Sequence, residues 1–320
     1  MSNKAKNILF RADSSSEIGT GHIMRDLVLA KQFSNDNIIF ATQNLKGNIN
    51  SKIEESGYKI ELLKSNEFRE LNDLIKKLEI EMIVIDHYGI DYDFEKKLKE
   101  ENPNLKIFVF DDTYEKHYCD ILLNHNISAD EKKYQKLVLK NCELRCGTQY
   151  TLLREEFVDT KKEKYKFIKY NKKNTISIFI AMGGADHSNI NIKILDVISK
   201  IRMLKHTIFS INIVTTYANK NLKKLIKYCK NKFWINLHIN SCNIAQLIKK
   251  SDFAIVTPSV TVNEVYYLNT PMIVIKTAEN QTDMYNYLKK KHHPTVGKLN
   301  KNKLLIQIEK ILKKKFYGRH

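Results

Sequence analysis

The first feature that points to chemistry is a histidine at the start of a predicted helix. Residues 8–10 form a short apolar run, a polar loop follows, and Gly19 and Gly21 then enclose Thr20 just before His22. A helix N-terminus carries partial positive charge, which disfavours an imidazolium, so we expect His22 to be neutral near pH 7. A neutral imidazole can take a proton from water, and His22 is therefore a candidate general base.

The same segment has a plainer interpretation, in which the glycines only form a tight turn and His22 only begins a helix. Free N–H groups at a helix start also favour an anion. A single G-x-G pattern is nevertheless weak evidence, and the strand–loop–helix context strengthens it only a little. On the local pattern alone, both interpretations stay open.

A second glycine turn, Gly183-Gly184, follows an apolar strand and precedes a helix. Adjacent glycines allow backbone N–H groups to approach a phosphate closely, although a plain strand-to-helix turn would use them as well. No G-K-[ST] follows, which excludes a Walker loop, and the G-x-G-x-x-G pattern of dinucleotide enzymes is absent.

A third turn into a helix has the sequence TPSVTVNE, at residues 257–264. Ser259 can cap this helix while its first N–H groups remain available to a phosphate. Glu264 falls on the second turn, where a carboxylate can accept hydrogen bonds from both hydroxyls of a ribose. Spacing alone favours the alternative, a glutamate on the surface.

Polar residues also follow the buried apolar strand at residues 82–85, which has the sequence MIVI. Tyr88 is a candidate for holding an attacking water or a sugar group. Asp86 and His87 have a structural alternative, which is to cap the helix that follows.

Two acidic pairs are typical of caps and do not indicate a metal site. Asp91 and Asp93 form a D-x-D pattern, but they begin a predicted helix, where acidic residues are ordinary caps. Asp111 and Asp112 follow another strand, and we interpret them in the same structural way. We expect no metal and no other cofactor.

The elements that position these residues alternate between strand and helix along the whole chain. This alternation predicts parallel sheets with helices on both faces, and the run at residues 82–85 suits a strand buried on both sides. Residues 161–174 are dominated by Lys, Tyr and Asn, which marks a linker. We therefore predict an α/β protein with two Rossmann-like domains, 1–158 and 159–320, and an interdomain cleft at the carboxyl ends of the strands.

Composition limits the remaining classes of function. A hydrophobic fraction of 42% in 320 residues indicates a folded protein, and the absence of a long apolar segment predicts a cytoplasmic protein without a membrane span. Five cysteines without paired spacing fit reduced thiols.

The net charge of +18 fits a polyanion partner, but Lys is scattered over most predicted helices and no nucleic-acid motif is present. We attribute the charge mainly to compositional bias and expect no nucleic-acid partner.

Taken together, several segments resemble a known enzyme family. They occur in order over residues 7 to about 290, and they are FRADSSSEIGTGHIMRDLVLAKQF, IDHYGI, FDDTYEKHYCDILLN, RCGTQYTLLREEF, MGGAD and the region of Asn263-Glu264 to Asn280-Gln281. They resemble the UDP-2,4-diacetamido-2,4,6-trideoxy-β-L-altropyranose hydrolases of pseudaminic acid biosynthesis. More distantly, GTGH and residues 259–264 are similar to the glycosyltransferase that makes lipid II. The resemblance implies the GT-B architecture.

The resemblance also implies the reaction and its residues. It implies hydrolysis of the anomeric C–O bond of a UDP-linked diacetamido-trideoxy sugar, with inversion, with water as co-substrate and without a metal. The general base falls on His22, and the other residues near the water fall on Tyr88 and Asn280. The implied substrate and UDP contacts are Gly21, Gly183, Gly184, Ser259, Thr261, Glu264 and Gln281.

The residues make independent sense of this chemistry. A glycosidase needs an acid because an alcohol leaves poorly, whereas UDP is a stable anion that leaves without being protonated. One base and anion-binding helix ends therefore suffice. Two alternatives stay open, a UDP-sugar glycosyltransferase of the same fold and a basic nucleic-acid-binding protein.

Overall fold

The computed structural model describes residues 5–163, 175–184, 186, 188–205 and 207–317 of the chain. The chain divides into two compact units between Leu152 and Leu153, shortly before the boundary expected between residues 158 and 159. Most of the predicted linker, residues 161–174, lies outside the described residues. In the part that the structure describes, no helix is long and apolar enough to cross a membrane.

The first unit is built on a parallel sheet of seven strands. The strands are β1 (Asn7–Ala12), β2 (Asn37–Gln43), β3 (Lys59–Leu63), β4 (Met82–Asp86), β5 (Lys106–Phe110), β6 (Ile121–Asn124) and β7 (Glu143–Cys146). Their order is β3-β2-β1-β4-β5-β6-β7. The helices are α1 (Gly21–Ala30), α2 (Asn50–Glu55), α3 (Phe68–Lys77), α4 (Tyr92–Glu101) and α5 (Glu131–Tyr134).

Alternate residues of the central strand face two separate cores. Ile8 and Phe10 of β1 pack with Ile23 of α1 on one face of the sheet, whereas Leu9 packs with Leu98 of α4 on the other. All five side chains are fully buried. A sheet covered on both faces requires the continuous apolar strands that the sequence contains. The polar residues that end these strands are thereby left at the carboxyl edge.

The second unit is built on a parallel sheet of six strands. The strands are β8 (Thr175–Ala181), β9 (Ile208–Thr215), β10 (Ile235–Ile239), β11 (Phe253–Val256), β12 (Met272–Ile275) and β13 (Thr295–Val296). Their order is β10-β9-β8-β11-β12-β13. The helices are α6 (Glu155–Lys162), α7 (Ile190–Lys205), α8 (Leu222–Cys229), α9 (Ile244–Lys249), α10 (Val260–Tyr267), α11 (Thr282–Lys290) and α12 (Lys301–Tyr317).

The basic C-terminal helix is part of the core of the second unit. Leu304 and Ile308 of α12 are fully buried in the same cluster as Ile194 and Ile198 of α7. The elements that the alternation pattern missed are short, namely α5, α6 and β13. In α6, which ends where the Lys-rich stretch begins, the buried Phe157 anchors the helix.

Candidate active site

His22 is the second residue of α1, and its ring is buried against the end of a neighbouring strand. Its Nδ1 lies 2.6 Å from Oδ1 of Asp86, the last residue of β4. The register of the sheet explains this contact, because Asp86 pairs with Ala12 at the end of β1, just before the loop that leads to α1. An ionised carboxylate only accepts hydrogen bonds, so the proton lies on Nδ1 and the lone pair on Nε2.

Asp86 is held by a second partner on α1. Arg25 Nε donates to Oδ2 at 2.6 Å, and Arg25 Nη2 donates to Oδ1. Burial alone would raise the pKa of Asp86, but Arg25 and His22 outweigh it and hold the pKa below its usual range. The capping alternative for Asp86 is therefore wrong. Asp91 is the residue that caps α4, since it accepts a hydrogen bond from the Phe94 N–H at 3.0 Å.

Tyr88 covers the other side of the imidazole. Its ring meets the His22 ring edge to face, with centroids 5.0 Å apart, and is 64% exposed. Its hydroxyl donates to Asp112 Oδ1 at 2.9 Å, while Arg25 Nη1 donates to Asp112 Oδ2 at 3.2 Å. Partial desolvation, together with the Asp112 charge, raises the pKa of Tyr88. Asp112 therefore links Tyr88 to Arg25, whereas the sequence indicated only a cap.

The other residue of that pair, Asp111, has the structural role that was expected. Its carboxylate accepts hydrogen bonds from the Thr113 and Glu115 N–H groups and from the Tyr134 hydroxyl. These bonds fix the loop after β5. Asp111 is buried whereas Asp112 is partly exposed, so the two neighbouring carboxylates meet different partners.

Two buried titratable residues near this cluster were missed by the sequence analysis. Asp26 lies one helical turn after His22, is fully buried, and has no hydrogen-bond partner for either carboxylate oxygen among the described residues. Burial and the nearby Asp86 charge raise its pKa. His125 follows β6, and burial, with the nearby Arg25 charge, lowers its pKa to about 3. The signal available for Asp26 was an acidic residue inside an apolar helical run.

His87 belongs to a separate polar cluster at the same sheet edge. The fully buried Arg11 donates to Asp13 Oδ2 at 2.8 Å, and His87 Nε2 lies 3.2 Å from the same oxygen. His87 Nδ1 accepts from the Gly89 N–H at 3.0 Å. Burial alone would raise the pKa of Asp13, but these hydrogen bonds hold it below its usual range. This cluster fixes the loop between β1 and α1, so His87 is structural.

Gly21 begins α1, and the position that its Cβ would occupy has no atom within 4 Å. Its backbone is not in the left-handed region, unlike that of Gly19, which has a φ of +89°. Space is therefore open beside the start of α1, next to His22.

In the second unit, the glycine turn after β8 has a conformational explanation. Gly183 has a φ of +78°, and a Cβ on Gly184 would lie 2.9 Å from Thr216 Oγ1. The carboxylate of Asp186 accepts hydrogen bonds from the Ile190 N–H at 2.7 Å and from the Asn191 N–H at 3.2 Å. The start of α7 is therefore already capped by a carboxylate.

Ser259 occupies the N-cap position of α10, but its hydroxyl does not cap the helix. The hydroxyl donates to the Thr257 carbonyl at 3.3 Å. Ser259 Oγ therefore takes none of the first N–H groups of α10, and Thr261 lies half-buried in the first turn.

Glu264 is buried, so the interpretation as a surface glutamate is wrong. Arg154 Nη2 donates to Glu264 Oε1 at 2.9 Å. Burial raises the pKa of Glu264, and the Arg154 charge opposes this shift.

Gln281 joins the loops that follow β11 and β12. Its Oε1 accepts hydrogen bonds from Thr257 Oγ1 at 2.9 Å and from the Thr277 N–H at 2.8 Å. Asn280 is exposed in the same short turn, Glu279–Gln281. The amide of Gln281 therefore fixes the turn that presents Asn280 beside the start of α10.

The predicted residues thus form a separate group in each unit. In the first unit, His22 and Tyr88 lie together, joined by Asp86, Arg25 and Asp112. In the second unit, Ser259 and Gln281 are linked through Thr257, and β8, which leads to the glycine turn, pairs directly with β11. Among the residues that the structure describes, no three His, Cys, Asp or Glu side chains converge as a metal site would require.

Solved structures share this fold. MurG of Acinetobacter baumannii has a TM-score of 0.65 at 9% identity, with 97% of this chain and 92% of that chain covered. A glycosyltransferase of Rickettsia africae has a TM-score of 0.62 at 13% identity, with coverages of 98% and 90%. At these identities the likeness concerns the fold alone, which is the GT-B architecture of two parallel-sheet domains.

Sequence comparison is more specific. A family model described as lipid-A-disaccharide synthetase matches residues 127–315. The UDP-2,4-diacetamido-2,4,6-trideoxy-β-L-altropyranose hydrolase of Campylobacter jejuni is 42% identical over 284 residues, which cover 89% of this chain and 96% of that protein. The chain therefore belongs to the family of this hydrolase and, over residues 127–315, also to the lipid-A-disaccharide synthetase family.

Proposed function

We propose that the protein hydrolyses UDP-2,4-diacetamido-2,4,6-trideoxy-β-L-altropyranose to UDP and the free sugar, a step of pseudaminic acid biosynthesis, with His22 as the general base. The family supports the substrate. The observation that carries the mechanism is the 2.6 Å contact between His22 Nδ1 and Asp86, because it places the proton on Nδ1 and leaves the lone pair on Nε2, which can then accept a proton from water. Gly21 leaves open space beside this histidine.

The reaction needs one proton transfer. Water bonds to the anomeric carbon as its proton passes to His22 Nε2, and the bond from that carbon to the β-phosphate oxygen breaks with its electron pair leaving on UDP. Attack from the side opposite to UDP inverts the anomeric centre. The ionised Asp86 stabilises the imidazolium that forms, and Arg25 keeps Asp86 in place.

Tyr88 and Asn280 are assigned to the sugar and the attacking water. The Tyr88 ring already lies against the His22 ring, and Asn280 is exposed in a turn that Gln281 fixes. We assign UDP to the second unit, where the first N–H groups of α10, with Ser259 and Thr261, face the phosphates. Glu264 is assigned to the ribose hydroxyls. Gly183 and Gly184 leave the adjacent strand end without side chains.

The second candidate is a UDP-sugar glycosyltransferase of the same fold. It is favoured by the match of residues 127–315 to a synthetase model. It differs from the hydrolase only in the acceptor, which would be a sugar or lipid hydroxyl instead of water.

Hydrolysis in ¹⁸O-labelled water without any acceptor separates the two candidates. The proposal predicts steady release of UDP, with the label in the sugar and none in UDP, and an initial anomer inverted relative to the substrate by NMR. Label in the phosphate of UDP would contradict attack at carbon. UDP release only after an acceptor hydroxyl is added would favour the transferase.

A further inference from the structure

The second unit has an unusual distribution of charge. The chain contains 36 acidic residues, yet residues 197–251 include none, while the same stretch holds eleven Lys or Arg residues. Lys-rich composition alone adds bases but does not remove every acid from a segment of this length. The segment begins in the middle of α7 and continues through β9, α8, β10 and α9.

Large apolar side chains are exposed within this basic segment. They lie at the C-terminal end of α7, at the first residue of β9 and in the turn between α8 and β10. We use the name amino-edge patch for these exposed side chains together with the exposed Arg202 and the half-buried Trp234, that is, for Arg202, Met203, Leu204, Ile208, Phe233 and Trp234. Phe233 is 100% exposed and Met203 is 73% exposed. Arg202, Ile208, Phe233 and Trp234 line one open depression of about 750 Å³.

Cations lie directly beside these apolar groups. The Arg202 guanidinium lies 5.6 Å from the centre of the Trp234 ring, and the exposed Lys230 precedes the turn that presents Phe233. The acidic residues that flank the segment in sequence are engaged in bonds of their own. Asp196 accepts from the Tyr228 hydroxyl at 2.9 Å, and Asp252 accepts from the Ser177 N–H at 2.9 Å.

We propose that the amino-edge patch docks the protein on an anionic lipid surface. Exposed apolar side chains that insert at the headgroup boundary, flanked by cations that attract anionic lipids, are what such binding requires. Met203, Phe233 and Trp234 would also suit a protein partner, but ten of the eleven cations in the segment are Lys, which is depleted in protein interfaces, so a lipid surface fits the whole segment better. A nucleic acid would stack on aromatic rings and would not use Met203, Leu204 and Ile208.

The position of the patch leaves the ligand-binding edge of the same sheet open. The patch lies where β9 and β10 begin, whereas Ser259 and Gln281 follow the carboxyl ends of β11 and β12. Binding of a membrane at the amino edge therefore does not cover the residues assigned to UDP.

The single tryptophan of the chain, Trp234, reports on this contact directly. We expect the full-length protein to float with vesicles of phosphatidylcholine and 30% phosphatidylglycerol, and not with pure phosphatidylcholine. Trp234 emission should shift to shorter wavelength and be quenched by acyl chains brominated near the headgroup. Absence of flotation, or flotation without quenching, would overturn the proposal.

Variants test the apolar and the cationic residues of the patch separately. The double variant Leu204→Ser/Phe233→Ser should weaken vesicle binding about tenfold or more, whereas Leu62→Ser, which alters an exposed leucine in the first unit, should not. Arg202→Glu/Lys230→Glu should weaken binding roughly 100-fold, and Lys96→Glu in α4 should change it little. Hydrolysis of the UDP-sugar should be unchanged in all four proteins. Equal binding by the wild type and the patch variants would overturn the proposal.

Two other occupants of the patch would give different results. If single-stranded RNA binds with loss in the same patch variants and displaces the protein from vesicles, the patch is a nucleic-acid site and the proposal is wrong. If sedimentation shows a dimer that Phe233→Ser dissociates, the patch is a subunit interface and the proposal is again wrong.

Discussion

In the first unit, His22 is held by buried charged side chains, whereas in the second unit the loops beside α10 are held mainly by uncharged groups. Asp86 receives hydrogen bonds from Arg25 and His22 away from water. Gln281, in contrast, accepts from a hydroxyl and from backbone N–H groups in a partly exposed turn. A charged and buried cluster fixes one histidine in one tautomer, which suits proton transfer. Uncharged loops with open helix ends suit the binding of a large anion.

Removing Asp86 should break the first cluster most severely. Asp86→Ala leaves Arg25 buried without its main partner, so we expect a loss of about 3–5 kcal/mol in the free energy of unfolding, measured with urea. The gentler Asp86→Asn should fold and still lower turnover by about 10²–10⁴-fold, since His22 loses its orienting carboxylate. Glu101→Ala, which breaks an exposed pair with Lys76, is the control and should leave stability nearly unchanged. Normal turnover in Asp86→Asn would contradict the account.

Glu264 is the one charged group assigned to ligand binding in the second unit, and its substitution tests that assignment. Glu264→Ala should weaken UDP binding by about 1.5–3 kcal/mol, the value of a hydrogen bond to a charged group, as measured by titration calorimetry. Glu279→Ala, in the exposed turn nearby, is the matched control and should bind UDP normally. An unchanged affinity in Glu264→Ala would remove this residue from the ribose.

The sequence predicted the strands well because their apolar runs are local signals. The apolar runs at residues 8–10 and 82–85 lie within the observed strands β1 (Asn7–Ala12) and β4 (Met82–Asp86). His22 was found for the same reason, since a glycine loop before a helix is local. The contact of His22 with Asp86 spans 64 positions and depends on the pairing of β1 with β4, which no local pattern contains.

The other residues whose roles were not predicted also depend on partners that are distant in the sequence. Arg25 and Asp112 gained their roles from the sheet edge on which they meet. The buried carboxylate of Glu264 is compensated by Arg154, which lies 110 positions earlier in the chain. Spacing within one helix cannot distinguish an exposed carboxylate from a buried one when the partner comes from a distant element.

The pH dependence of the free energy of unfolding tests the buried charges of the first unit, because Asp26 should contribute to it. Its pKa is raised in the folded protein, so the folded state binds the proton more tightly than the unfolded state. The contribution of Asp26 to stability is therefore full below about pH 4 and falls as pH rises toward the folded-state pKa, by at most about 1.4 kcal/mol per pH unit. As pH rises from 4.5 to 7, the free energy of unfolding of Asp26→Asn, measured with urea, should increase relative to that of the wild type. A constant difference between the two proteins over this range would show that Asp26 does not titrate as described.

The smallest effect is expected at Asp91, outside both clusters. Asp91→Ala removes the cap of α4 and should lower stability by about 1 kcal/mol. Hydrolysis should be unchanged in this variant and should persist in excess EDTA. A loss of activity on chelation that Mg²⁺ or Mn²⁺ restores would overturn the assignment of Asp91 and Asp93 as caps.

The central claim is that His22 activates water, and turnover of His22→Asn across pH tests it most directly. We expect a fall in kcat of about 10²–10⁴-fold, loss of the acid limb of the kcat profile, and little change in the Kd for UDP, which is assigned to the other unit. His22→Phe should behave in the same way. A folded His22→Phe protein that binds the UDP-sugar and turns over near the wild-type rate would contradict the claim.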